Sequence, residues 1–329
     1  MKVKATVFFA ILSLFLTTLT PIAGARAAGL FPEGATPLQN AHENFALGKF
    51  SAMTAEMKKA LEQSQDPAVA QNVYALLNKA YQVKGGNSIP VDWHLPQALT
   101  RVRVSVVRRE SEGVRRYLKF TATEQEKSMI ELLQIKHYPE QVVIDSKAGT
   151  SKVEEVMSVD QGKTTYQYQI KSALGPDVVA SGLYTLRIVL KDGTVTDGWF
   201  LVDPELNSSD SPILLTPAVG QTLHTSTPLL SWQDFHSPEY QASEGRNLWT
   251  GIFSSELPNY DWNEQWTFYQ KDPDLTQITV GAQMDGAVGV STLKPGRYVA
   301  AIAFVERRMF GDLILARESV TTRTFFVKP

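Results

Sequence analysis

No cysteine occurs anywhere in the 329 residues. That absence excludes disulfides, thiolate nucleophiles, cysteine-ligated zinc or iron–sulfur centres, and a lipid anchor on cysteine. A basic excess is missing too: 32 Lys and Arg stand against 34 Asp and Glu, a formal net charge of −2. General nucleic-acid binding needs a basic footprint, so no nucleic-acid partner is expected. Catalytic signatures are also lacking. The five histidines, His42, His94, His137, His224 and His236, include no pair at HExxH spacing, and no G-x-S-x-G elbow exists. Gly162-Lys163-Thr164 ends like a phosphate-binding loop. The leading glycine position is Met157, however, and the stretch sits between strands rather than before a helix, so it reads as a hairpin turn. No metal and no cofactor are expected.

Long hydrophobic runs are confined to the N-terminus. Lys2 and Lys4 precede the uncharged run Val7 to Leu19, Pro21 breaks it, and Ala23 to Ala28 offers small residues for cleavage. Residues 1–28 thus read as a secretory signal peptide cut after Ala27 or Ala28. The run is shorter than the roughly 20 apolar residues a bilayer span needs, and no transmembrane segment is expected in the released chain. Removing Lys2, Lys4 and Arg26 leaves about 302 residues with a net charge of about −5. The location expected is the periplasm or the medium of a Gram-negative bacterium. With apolar residues at 43% and no disulfide, packing alone must hold the released chain together.

Residues 29–90 read as a helical segment. Thr36-Pro37-Leu38-Gln39 is a capping box with proline in the first turn. Phe50, Met53, Met57 and Leu61 form one stripe, and Asp66-Pro67 starts a third helix that Gly85-Gly86 stops. Phe45 to Phe50, followed by Lys59-Ala60-Leu61-Glu62, resembles a tetratricopeptide hairpin, although Pro67 falls later than that family's proline. The resemblance covers one hairpin and implies a cap or docking element.

From Leu99 the period becomes two. Val102, Val104 and Val106 alternate with Arg101, Arg103 and Ser105. Leu118, Phe120 and Ala122 follow a turn at Glu110 to Gly113, and Tyr184 to Leu190 runs into the hairpin signal Asp192-Gly193. Residues 91–204 are expected to form one antiparallel β-sandwich. Asp203 to Pro212 reads as a polar linker, taken as 205–212 between the domains, with Asn207-Ser208-Ser209 a solvated turn rather than a glycan site. Residues 213–329 form a second β domain. There Pro228-Leu229-Leu230-Ser231-Trp232 and Leu293-Lys294-Pro295-Gly296-Arg297-Tyr298 resemble fibronectin type III or immunoglobulin-like modules. The resemblance implies that Trp232 is core and that the Tyr298 hydroxyl bonds back to the corner backbone. Val299 to Val305 would be the penultimate strand and Thr324 to Val327 the last. Ser181-Gly182-Leu183-Tyr184 parallels the Tyr298 corner, so Tyr184 is expected to be its core counterpart.

Two stretches carry candidate contacts. Arg101, Arg103, Arg108, Arg109, Arg115, Arg116 and Lys119 lie on one strand pair. Alternation puts Arg101 and Arg103 on one face, and Arg115 or Lys119 across from them would make a basic strip for an anionic envelope polymer. The competing reading is a solvated face or a guarded edge. Between Asn247 and Gln270, Trp249 and Phe253 are expected in one core strand and Trp266 and Phe268 in the next. That leaves Tyr260 and Trp262 as exposed loop aromatics suited to a sugar ring.

The fold expected is mainly β with an N-terminal α segment: a helical hairpin or three-helix cap, then two antiparallel sandwiches. The role expected is a non-enzymatic cell-envelope binding protein with a protein or glycan partner. One alternative is a carbohydrate-active hydrolase using Asp261 or Glu264. Another is an accessory to an envelope-stress sensor. The layout resembles uncharacterised exported proteins of Gram-negative bacteria.

Overall fold

A computed structural model describes residues 36–328, apart from 112, 149–155, 161–162, 208–212, 234–245, 255–262 and 272–274. The expected leader, Tyr260, Asp261 and Trp262 lie outside the described residues. Helices come first: α1 (Pro37–Ala46), α2 (Phe50–Gln63) and α3 (Pro67–Val83). Thr36 caps α1 in a complete capping box with Gln39, and Asp66 caps α3 by accepting from the Ala68 amide. Ala41, Met53, Met57, Tyr74, Leu77 and Tyr81 are buried in the same core as the first β module. The helices therefore pad that module.

The first module comprises β1 (Leu99–Glu110), β2 (Val114–Glu124), β3 (Ile130–His137), β4 (Gln141–Asp145), β5 (Val156–Asp160), β6 (Lys163–Lys171), β7 (Gly182–Leu190) and β8 (Val195–Val202). The second comprises β9 (Ile213–Thr216), β10 (Thr222–Leu223), β11 (Leu229–Gln233), β12 (Arg246–Ser254), β13 (Asn263–Lys271), β14 (Gln277–Thr279), β15 (Ala287–Gly289), β16 (Gly296–Phe310) and β17 (Leu313–Val327). In the first sandwich, Val104, Val106, Leu118 and Phe120 pack with Leu133, Ile135, Leu186 and Ile188 of the four-stranded sheet β4-β3-β7-β8. In the second, Ile252, Phe268, Ile302 and Phe325 pack with Leu214, Leu230 and Trp232 of the three-stranded sheet β14-β11-β9.

Trp232 is buried, as are both corner tyrosines. The Tyr298 hydroxyl donates to the Lys294 carbonyl at 2.8 Å, and the Tyr184 hydroxyl to the Ala180 carbonyl at 2.7 Å. The two modules share the same corner chemistry, one four-residue step back along the chain in each case.

The last two strands differ from the sequence expectation. Each runs 15 residues instead of stopping near Val305 or starting near Thr324. Their far ends leave the second core and enter the first, where Phe310, Leu313 and Leu315 are buried. There β17 pairs in parallel with β1, from Arg103↔Ile314 to Glu110↔Thr321. A ten-stranded sheet results, ordered β15-β13-β12-β16-β17-β1-β2-β6-β5, with β10 alongside β17. It runs unbroken through both modules.

On the core side of this seam the inward positions carry charge, which hid the strands from a hydrophobic pattern. Arg308, 1% exposed, donates to Asp203 at 3.0 Å, to Glu205 at 2.9 Å and to Asn78 of α3 at 2.8 Å, and stacks on Tyr81. Arg317 binds Glu306 and the Glu205 carbonyl. Residues 203–207, read as linker, are thus built into the seam as a short 3-10 turn, Pro204–Asn207, with Leu206 buried. Asn207 is not a solvated turn residue: its amide donates to the Val179 carbonyl at 2.7 Å.

Candidate functional site

A sheet has two faces, and successive side chains alternate between them. The ten-stranded sheet turns one face to the two cores. The opposite, outer face collects residues that neither core contains. Register gives its rows. Across one row stand Arg115, Arg109, Val320, Ala303, Trp249 and Tyr269, drawn from β2, β1, β17, β16, β12 and β13. The next row holds Tyr117, Val107, Glu318, Val305 and Asn247. A third carries Lys171, Lys119, Ser105, Ala316 and Arg307.

At the centre of this face is a charged knot. Glu318, 6% exposed, accepts from Ser105 at 2.7 Å and from Lys119, and Arg103 lies 3.6 Å away. Burial alone would push the Glu318 carboxyl up, but Lys119 and Arg103 outweigh it and hold the value at about 2. Burial pulls the Lys119 ammonium down, and its like-charged neighbours Arg103 and Lys171 add to that, against the opposing pull of Glu318. One acid therefore anchors two cations over a floor of small side chains. Ala301 and Ala316 are fully buried there, and Ala303 nearly so.

The second module supplies an aromatic ledge. Trp249 and Phe253 lie with centroids 5.5 Å apart, flanking Gly251. A Cβ at Gly251 would sit 3.1 Å from the Phe253 ring and from the Thr267 methyl, so a larger residue there would have to push those side chains aside by a few tenths of an ångström. Tyr269, 46% exposed, faces Trp249 across the ladder and donates its hydroxyl to Asn247.

The sequence-read site residues separate as follows. Arg103, Arg115 and Lys119 share the outer face, but neither Arg115 nor Lys119 stands opposite Arg103, whose partner is Thr121. Arg101 does not share the Arg103 ladder. A bulge between Thr100 and Arg103 puts Arg101 at φ +49°, which breaks the alternation. Lys119 is mostly buried rather than free for a polymer. Arg108 and Arg116 face the core side, where Arg108 pairs with Glu110 at 3.1 Å and Arg116 donates to the Pro176 carbonyl. Trp266 and Phe268 are core, as expected; Trp249 and Phe253 sit in the neighbouring strand but on the outer face. Tyr260 and Trp262 lie outside the described residues. Glu318, Trp249 and Tyr269 were not picked out from sequence as site residues. Alternation along Trp249, Gly251 and Phe253 was the available signal for the ledge, whereas nothing near Glu318 announces a partner 213 residues away.

A cavity of about 260 Å³ opens beside Trp266, between Ala282, Met284, Val288 and Val290, and none of its lining residues is acidic. Among the described residues no group of three or more His, Asp or Glu could hold a metal, and no helix is long and apolar enough to cross a membrane.

The sequence profile of the family described as "Protein of unknown function (DUF2861)" matches residues 31–215, more than half of the chain. The chain belongs to this family. No curated protein matches it. Among solved structures, the tandem Ig repeats of Dlar are 10% identical, with 69% of this chain and 95% of that chain covered and a TM-score of 0.32. The polymeric Ig receptor ectodomain of a teleost fish is 12% identical, with 70% of this chain and 98% of that chain covered and a TM-score of 0.19. Likeness at these levels carries no partner over, and the fold rests on the strand order above. For this DUF2861 member the family match ends at Leu215, whereas the first core is completed by residues 310–315.

Proposed function

We propose that this protein is an exported, non-catalytic envelope protein that recognises a partner through the outer face of its shared sheet. One observation carries the reading. A single continuous sheet sets Arg103, Arg109 and Arg115 of the first module on the same face as Trp249 and Tyr269 of the second. Cationic heads beside aromatic surface suit a polar macromolecule, protein or glycan. Export is supported by the leader-like N-terminus.

The test is capture from envelope extracts by purified protein, repeated with Trp249→Ala/Tyr269→Ala. The expected result is a specific partner or polymer retained by the wild type and released by the double variant. Capture unchanged by the substitutions would overturn the assignment of this face. Recovery of the chain in the cytosol with residues 1–28 intact would overturn export.

A further inference from the structure

The ten-stranded sheet ends at β15, which pairs with β13 and, among the described residues, with no other strand. Register fixes which of its backbone groups are left over. The Val290 N–H donates to the Gln265 carbonyl at 2.8 Å, and the Gly286 carbonyl accepts from the Tyr269 N–H at 3.0 Å, so both point to β13. A trans peptide turns its C=O and N–H in opposite directions, so the Gly289 carbonyl and the Ala287 N–H point away from β13. The Met284 carbonyl accepts from the Ala287 N–H at 3.0 Å. The Gly289 carbonyl, and by the same alternation its N–H, meet no group of the described residues and form an open edge.

Open edges are ordinarily guarded by charge, by proline or by a covering segment. β4, at one end of the four-stranded sheet, carries Asp145 and is flanked by Glu140 and Lys147. β8, at the other end, has Trp93 against Gly198 and its Trp199 indole donating to Asp92 at 3.0 Å. β15 has neither kind of guard. From Leu275 to Leu293 the one charged residue is Asp285, and proline is absent. Met284, Val288 and Val290 are exposed there, Val288 at 71%.

Beside this edge the cavity over Trp266 forms a receptacle, and none of its lining residues is charged. Its wall is fixed by backbone. Gly281 and Gly289 hold φ at +82° and +121°, and a Cβ on either would overlap a carbonyl, that of Ser291 or that of Gln265. The bond from the Tyr269 N–H to Gly286 makes the aromatic ledge, the open edge and the cavity neighbours.

We propose that β15 takes up an extended segment of a partner protein as an added strand, with one large uncharged side chain of that segment seated in the cavity over Trp266. The inference rests on the outer face being the recognition surface, with which this edge is continuous, and names the partner as a protein. An extended peptide supplies N–H and C=O groups at the spacing of the edge, and its alternating side chains send every second one toward the cavity. The uncharged lining selects an apolar anchor. A glycan matches less well, because Gln283, Ser291 and the Trp266 indole are the only lining side chains able to bond ring hydroxyls.

The experiment is titration of purified protein with a fluorescein-labelled, end-capped nonapeptide of alternating threonine and leucine, with the same peptide N-methylated throughout and chitotriose as parallel arms. The plain peptide is expected to bind, and the N-methylated one at least about tenfold more weakly, because methylation removes the donors that an added strand needs. Val288→Lys, at an exposed position, is expected to weaken binding about fivefold by guarding the edge, whereas Val195→Lys on β8 should leave it unchanged. No binding of the plain peptide, equal binding of the N-methylated one, or an equal response to the two lysine variants would overturn the proposal. Binding of chitotriose that Val288→Lys removes, with both peptides inert, would replace the protein segment with a glycan. If Trp249→Ala/Tyr269→Ala abolishes envelope capture while the peptide does not bind, the face stands and the added strand falls. If the peptide binds as expected while capture ignores the double variant, the edge stands and the outer face falls.

Discussion

Glu318 shows how one side chain can organise a face. It is buried among Lys119, Arg103 and Ser105, and its carboxylate compensates charges that the sheet could not otherwise hold side by side. Its folded value, about 2, lies below the ordinary 4.5, so the stability it contributes is fully present above pH 4.5 and is lost as pH falls toward 2. Urea midpoints measured across that window should drop for the wild type and drop less for Glu318→Gln. At neutral pH Glu318→Gln should cost about 3–5 kcal/mol, because Lys119 is left buried without its counter-charge. A variant as stable as the wild type at pH 7 would mean that the knot is open to water. The corner tyrosines provide a milder case. Tyr184→Phe and Tyr298→Phe each remove one hydroxyl bond to a backbone carbonyl and should each cost about 1 kcal/mol in denaturant unfolding. Equal costs would indicate that the two corners do the same job in the two modules.

Among the elements, the β16–β17 hairpin matters most, and only part of it was legible in the sequence. Apolar alternation from Tyr298 to Phe304 marks a strand because those inward positions lie in the second hydrophobic core. Beyond Val305 the inward positions are Glu306, Arg308 and Arg317, and the pattern reads as a polar surface. The partners of Arg308, namely Asp203, Glu205 and Asn78, are between 103 and 230 residues away, beyond any local signal, whereas Glu306 and Arg317 pair with each other across the hairpin. Helix caps and hairpin turns were legible because their chemistry is local, as the Thr36–Gln39 box and the Asp192 turn show. The same reasoning explains the site. The Arg and Lys side chains of β1 and β2 were visible in the sequence, while the acid that neutralises them and the aromatics beside them arrive only through long-range pairing. Phe310 tests the hairpin's role directly. Its ring meets Trp199 edge-on at 5.0 Å inside the first core. Phe310→Ala should cost about 3–5 kcal/mol and shift the unfolding of the first module, followed by near-ultraviolet circular dichroism. A loss confined to the second module would place the hairpin tip elsewhere.

Across the whole molecule, the two sandwiches are joined by backbone as well as by side chains. Parallel pairing of β1 with β17 makes one sheet of two modules, and the Arg308 cluster ties the helices, the 203–207 turn and the hairpin together on its core side. A recognition face drawn from both modules requires that join to be permanent, since free rotation about a linker would part Arg109 from Trp249. Hydrogen exchange of the amides in residues 103–109 and 314–321 measures this most directly. If the sheet is continuous, those amides exchange as slowly as the core strands β7 and β12, through global unfolding. Fast exchange along the seam, with both cores still protected, would contradict a single recognition face.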